Sequence, residues 1–196
     1  MNTRQKIGET LKKHWLNILL IGILGVLILV PNGKSWLLSL FLSAGLFKAD
    51  VPARAPVSAA IPELRFNDVN GKSITTSDLK GKVLFINFWA DWCPPCRAEM
   101  PAIDKLYNRL KDDNRFVFLM VDMDSNLQRS GNYMKKNGFS LPVVSAASGI
   151  HDTLYNGTLP TTLVIGKNSE LLMKHEGIAN YNHEDFVSYL YSQFAE

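Results

Sequence analysis

Residues 81–101 read GKVLFINFWADWCPPCRAEMP, and the fold turns on the order of events within them. Val83 to Ala90 is a continuous apolar run rich in β-formers. That pattern marks a strand buried on both faces, where polar alternation is lost because neither side meets water. Asp91 and Trp92 break the run, and two prolines then open a helix. Proline suits the first helical positions, since its missing N–H would have no helical partner there. Beyond them Cys96, Met100, Ile103, Leu106, Tyr107 and Leu110 recur at helical spacing, so a helix is expected from about Pro94 to Lys111. The only two cysteines, Cys93 and Cys96, fall at the junction of strand and helix.

That placement has a chemical meaning. Free N–H groups and the macrodipole at a helix start stabilise negative charge, and such surroundings lower the pKa of a thiol. Cys93, ahead of Pro94 and Pro95, is therefore the expected nucleophile, and Cys96, one turn along, is placed to resolve a mixed disulfide. A purely structural clip is the bland alternative, but a loop this short removes little chain entropy. Half of a zinc site is another. Structural zinc takes four ligands, and His151, His175 and His183 show no ligand-like spacing. Neither a metal nor a dissociable cofactor is expected, and the redox group is the cysteine pair itself.

Outward from the junction, Leu64 to Phe66 and Lys72 to Thr75 flank Asn70-Gly71, a strong hairpin dipeptide. Phe116 to Asp122 reads as a second buried strand. Leu127 to Asn137 reads as a helix that Gly138 can end, and His151 to Tyr155 as a short helix. Thr162 to Ile165 and Leu171 to His175 read as a strand pair, and Glu184 to Phe194 as a closing helix. This order implies an α/β sandwich with a mixed sheet. Within the cysteine helix Glu99 interrupts the apolar stripe and so faces the core. A buried carboxylate has a raised pKa and can exchange protons with a thiol. The competing reading is a solvated Glu that only complements the helix dipole. Asn87 is a polar break in the buried strand, and hydrogen bonding within the core is its plain explanation. Asp122 and Asp124 read as loop-facing carboxylates at a strand end.

The run from Gly81 to Pro101, together with Leu159-Pro160-Thr161-Thr162, resembles the TlpA/ResA-like family of membrane-anchored thioredoxin-fold oxidoreductases, over roughly Ile61 to Glu196. The first stretch is highly specific, the second supportive. The resemblance implies a thioredoxin-like fold with a mixed central sheet flanked by helices. It implies an acid–base role for Glu99, three residues beyond the second cysteine. It also implies that Pro160 is cis opposite the cysteines, with Leu159 offering backbone groups to an extended substrate. Typical thioredoxins have an Asp where this chain has Asn87, which cannot ionise, and that departure shifts weight onto Glu99. Trp92 is expected to shield the disulfide, with plain packing as its alternative.

Residues 1–60 carry seven Lys/Arg against two Asp/Glu, leaving fourteen and sixteen of the chain's 21 and 18 for the rest. The globular part is thus mildly acidic with no basic stripe, which argues against a nucleic-acid partner. The basic excess flanks an apolar run. From His14 to Gly33 there is no Lys, Arg, Asp or Glu, and at ~1.5 Å per residue that run would span the ~30 Å bilayer core. Arg4, Lys6, Lys12 and Lys13 precede it, so the N-terminus is expected in the cytoplasm. The expected division is a cytoplasmic 1–13, a transmembrane anchor 14–33 preceding the α/β fold, a membrane-proximal segment and linker 34–60, and the thioredoxin-like domain 61–196. A cleaved signal peptide is the rival, with Ala53-Arg54-Ala55 as its site-like triplet. Ser35, Ser39 and Ser43 draw a polar stripe on the greasy stretch from Trp36 to Phe47. The stripe suits a helix on the outer membrane surface, and an extension of the anchor or a dimer contact is the equal alternative. The expectation is a single-pass inner-membrane protein whose periplasmic domain reduces disulfides of exported proteins, with cytochrome c maturation as one candidate process, recharged by a membrane thiol donor. A dithiol oxidase or isomerase, a tethered metal-binding module and a peroxidase are the rivals.

Overall fold

A computed structural model of the chain describes residues 14–25, 33–43, 47–49 and 60–195. Residues 14–25 are helical (α1), and α2 runs Gly33–Ser43. The domain then proceeds through β1 (Arg65–Asp68), β2 (Ser73–Thr75), a 3-10 turn (Ser77–Leu79), β3 (Val83–Trp89), α3 (Pro94–Leu110), β4 (Phe116–Asp122) and α4 (Leu127–Asn137). It closes with β5 (Val143–Ala146), β6 (Thr161–Ile165), β7 (Leu171–Glu176) and α5 (Glu184–Ser192). One sheet holds all seven strands in the order β2-β1-β5-β4-β3-β6-β7. β3 and β4 pair parallel, as do β4 and β5, while β3–β6, β6–β7, β1–β2 and β1–β5 are antiparallel. The mixed α/β architecture expected from the sequence is present.

The buried central strand sends alternate side chains to two cores, as the pleat requires. Phe85 and Trp89 join the core built with α3, α4 and α5, among them Met100, Ile103, Leu106, Met134, Phe186 and Leu190. Leu84, Ile86 and Phe88 join the opposite core, closed by Leu64, Phe66 and Leu154 rather than by a long helix. The same alternation puts Asn87 on the α3 side.

Several expectations are corrected in detail. His151 to Tyr155 is a hydrogen-bonded turn, not a helix: the N–H groups of Leu154 and Tyr155 both donate to the His151 carbonyl, and Leu154 drops into the second core. β5 has no counterpart among the expected strands. Its four residues carry two polar or small side chains, and it is held by neighbours on both sides rather than by its own pattern. The closing helix ends at Ser192, short of Phe194.

Among the described residues no helix is long and apolar enough to cross a membrane. Of the expected anchor 14–33, residues 26–32 lie outside the described part, as do the expected cytoplasmic residues 1–13 and linker residues 50–59, including Ala53-Arg54-Ala55. Of the segment expected to be membrane-proximal, α2 is described, and Ser35 and Ser39 of its serine stripe lie on the side turned to α3. Ser35 is buried, and Ser35 and Ser39 face Arg97, Pro101 and Tyr133, while Leu42 packs by Ala98 and Ala102. The stripe is small enough to let α2 lie close against the Ala98, Pro101 and Ala102 side of α3. Beyond α2, the Phe47 carbonyl accepts from Asn180 N–H at 2.6 Å, Ala49 N–H donates to the Asn180 carbonyl at 3.2 Å, and Asn180 Nδ2 donates to the Leu42 carbonyl at 3.0 Å.

Candidate active site

Cys93 and Cys96 are joined as a disulfide where β3 ends and α3 begins. Cys93 has extended backbone angles and occupies the N-cap of α3, with Pro94 and Pro95 in the first turn as the sequence suggested. Its Sγ accepts from the Cys96 N–H at 3.3 Å, so the sulfur itself caps the helix. An N-cap acceptor is normally an oxygen, and its partner N–H is one of the helix's unsatisfied donors. That donor and the dipole behind it would favour a thiolate over a thiol at this sulfur. Cys93 retains a sliver of exposure (3%) whereas Cys96 has none, which orders the two sulfurs by access.

Glu99 lies on the next turn and is fully buried, as its break in the apolar stripe implied. Burial pushes its carboxyl up to about 8, and two donors restrain the rise. Asn87 Nδ2 donates to Oε1 at 2.8 Å, and the Ala179 N–H donates to Oε2 at 3.2 Å. Asn87 also donates to Thr162 Oγ1 at 2.9 Å, across the β3–β6 register that pairs those two residues. Its own Oδ1 is left as an unused acceptor inside the site. Tyr181 closes this pocket from the loop before α5. Its phenol is pushed well up by burial and by the charge of an ionised Glu99.

The Leu159–Pro160 bond is cis. Thr161 pairs with Phe88, so continuing the register sets Pro160 beside Trp89, the last residue of β3, and Leu159 beside Ala90, just ahead of the cysteine turn. Gly177 N–H donates to the Pro160 carbonyl at 2.8 Å, fixing this loop to the end of β7. Leu159 touches both cores. Trp92 is 57% exposed, and its indole N–H donates to Asp124 Oδ2 at 2.7 Å. Asp122 is buried and holds the turn after β4, accepting from the N–H groups of Asp124 and Asn126. Asp91, next to Trp92, is paired with Arg129 of α4 at 2.6 Å. The rim around the disulfide is thus fastened at two points, to the β4–α4 connection through Asp124 and to α4 through Arg129.

Two contributors escaped the sequence reading, Ala179 and Tyr181, and Asp124 was read only as a loop-facing carboxylate, not as the acceptor of the Trp92 indole. Ala179 acts through its backbone from 80 residues away, and no side-chain pattern signals such a role. Of the histidines, His151 bonds Thr153 and His183 caps α5. Among the described residues no group of three His, Cys, Asp or Glu side chains could hold a metal ion.

A family model described as Redoxin matches residues 56–186. The chain belongs to the Redoxin family. A thiol-disulfide oxidoreductase ResA of Bacillus cereus is 34% identical over 114 residues, covering 58% of this chain and 65% of that protein, just under two thirds of its length. The ResA of Bacillus thuringiensis (strain Al Hakam) is 32% identical over 130 residues, covering 66% and 73%. Among solved structures, a thiol:disulfide interchange protein, thioredoxin family protein, from Chlorobium tepidum TLS is 27% identical and covers 74% of this chain and 99% of that one, with a TM-score of 0.58. The chain is thus a ResA-like redoxin with a thioredoxin-like fold, a thiol–disulfide oxidoreductase whose redox-active pair is Cys93–Cys96.

Proposed function

We propose that this redoxin is a membrane-anchored reductase of disulfides in exported proteins, with its domain on the outer side of the cytoplasmic membrane. The observation that carries the chemistry is the fully buried Glu99 carboxyl, pushed up to about 8 by that burial, one turn from a resolving cysteine at a helix start. In the reduced chain the Cys93 thiolate attacks one sulfur of a substrate disulfide. A Cys93–substrate disulfide forms, and the other substrate sulfur leaves as a thiolate and takes up a proton. Cys96 then loses its proton to Glu99 and attacks Cys93 Sγ. The second substrate sulfur is expelled and Glu99 returns the proton to it. The substrate gains two electrons and two protons, and the chain is left with the disulfide seen here. A dithiol donor of the membrane reverses that last state. Leu159 and Pro160 line the approach, and Trp92 forms the exposed rim on which a substrate segment lies.

Support for the anchor comes from α1. Trp15, Leu16, Ile18, Leu19, Leu20, Ile21, Ile23 and Leu24 are all about half exposed or more. A helix apolar all round is stable only inside a large core or in lipid. The basic residues ahead of it favour an outer location for the domain. Cytochrome c maturation is one process that needs such a reductase.

The test is a Cys96→Ser chain expressed in its own cell envelope. It should accumulate mixed disulfides on Cys93. Apocytochrome among the captured proteins favours haem-protein maturation, and a scatter of secreted proteins favours general reduction. Absence of any Cys93-linked protein, or a strongly oxidising potential against glutathione, refutes the reductase.

A further inference from the structure

We infer that α2 is a two-faced seat that holds the thioredoxin-like domain flat on the bilayer, with its serine face keyed to α3 and its apolar face in the lipid headgroup region. The inference rests on the anchor reading above and adds to it a fixed attitude of the domain. An ordinary surface helix buries its apolar stripe and shows polar side chains to water. α2 departs from this, since Ser35 is buried beside Leu42 while Leu40 and Phe41 are exposed. At ~100° per residue, Ser35, Ser39 and Leu42 cluster on one side and Leu37, Leu40 and Phe41 on the other. The first side lies against Ala98, Pro101 and Ala102 of α3, with Ser35 and Leu42 buried. On the second, Leu40 is 50% and Phe41 42% exposed, and Phe47 just beyond α2 is 43% exposed. Leaving this face in water is unfavourable, and a contiguous exposed apolar face marks a docking surface.

The occupant follows from the chain's own order. The apolar run from Trp15 to Val30 ends three residues before Gly33, so α2 starts where the anchor leaves the lipid. A helix at that place, with large apolar side chains on its outer face and Lys34 and Lys48 at its two ends, has the composition of one lying in the headgroup region. The attachment to the domain is stiff. Asn180 bonds Leu42 and Phe47, and Ala49 bonds Asn180 in return. α3 therefore lies about one helix diameter, ~10 Å, above the lipid. Arg97 and Pro101, which face α2, belong to its first turns, next to the cysteines. The dithiol is held near the membrane plane, within reach of a membrane-embedded donor.

The experiment uses the full chain reconstituted in vesicles of phosphatidylcholine and phosphatidylglycerol. p-Benzoylphenylalanine replaces Phe41 in one sample, Ile18 in a second and Asp112, on the domain's exposed surface, in a third. Photolysis is followed by mass spectrometry. Lipid adducts from position 41 at a yield within about twofold of position 18, with none from position 112, are the expected result. Lipid adducts from position 18 but protein adducts from position 41, to a second copy or to the chain's own residues, overturn the seat and leave the anchor standing. Position 18 forming lipid adducts while position 41 forms no adduct likewise overturns it. No lipid adduct from position 18 removes the anchor reading, and the seat falls with it.

Discussion

Replacing Glu99 by Gln removes a titrating group and keeps its shape, and its consequence for stability can be worked out with a sign. In the fold the carboxyl titrates near 8, against 4.5 for an unburied one, a shift driven first by desolvation. Below pH 4.5 both folded and unfolded chains hold the proton and nothing is lost. Between 4.5 and 8 only the folded chain holds it, so stability falls as pH rises. At ~1.4 kcal/mol per unit, that window removes about 5 kcal/mol from the native chain by about pH 9. Glu99→Gln has no such slope. It does carry a fixed penalty of about 1–3 kcal/mol, because the new amide can accept only one of the two donors that Asn87 and Ala179 supply and must turn its own N–H groups toward the other. The variant should therefore be less stable than the native chain at about pH 5 and more stable at about pH 9. Urea unfolding of the oxidised proteins at both pH values measures this directly. All other titrating groups are shared and cancel in the difference. Parallel loss of stability in the two proteins would refute the buried, protonated carboxyl, and the proton relay with it. Reductase turnover of the variant near neutral pH should fall by about 10²- to 10⁴-fold.

Asn87→Ala withdraws the amide that restrains Glu99, so the acidic limb of the pH–rate profile, where Glu99 must ionise to accept the Cys96 proton, should move to higher pH; an unchanged limb would show that the 2.8 Å bond does not act on the titration. Asp124→Ala frees the Trp92 indole, and KM for a peptide disulfide should rise severalfold with kcat little changed, as read from steady-state kinetics. Arg129→Ala breaks an ion pair whose Arg is half exposed, and thermal unfolding should show a cost below ~1 kcal/mol.

The parts of the fold legible in the sequence were those whose signal is local. β3 is buried on both faces and reads as an unbroken apolar run. α3 declares its start through Pro94 and Pro95 and its inner face through a stripe, and Glu99 is visible because it violates that stripe. Gly138 ends α4 in the left-handed conformation its neighbours would resist. β5 was illegible because pairing to β1 and β4 makes it a strand, and its own four residues do not. His151 to Tyr155 carries helix-like spacing but is too short to propagate, and one carbonyl serves both N–H groups. The serines of α2 were visible as a stripe, but a small polar stripe suits water and close helix contact equally. Only the position of α3 decides between them.

Ala179 and Asn180 are consecutive. One lends its N–H to the Glu99 carboxylate, and the other grips the peptide at Leu42, Phe47 and Ala49. Trimming the protein to begin near Ala60, the obvious way to make it easy to handle in solution, would strip every ligand of Asn180 that comes from residues 42–49. Such a shortened protein would then report the acidity of a loosened pocket, and values obtained with it would describe a different enzyme from the full-length one.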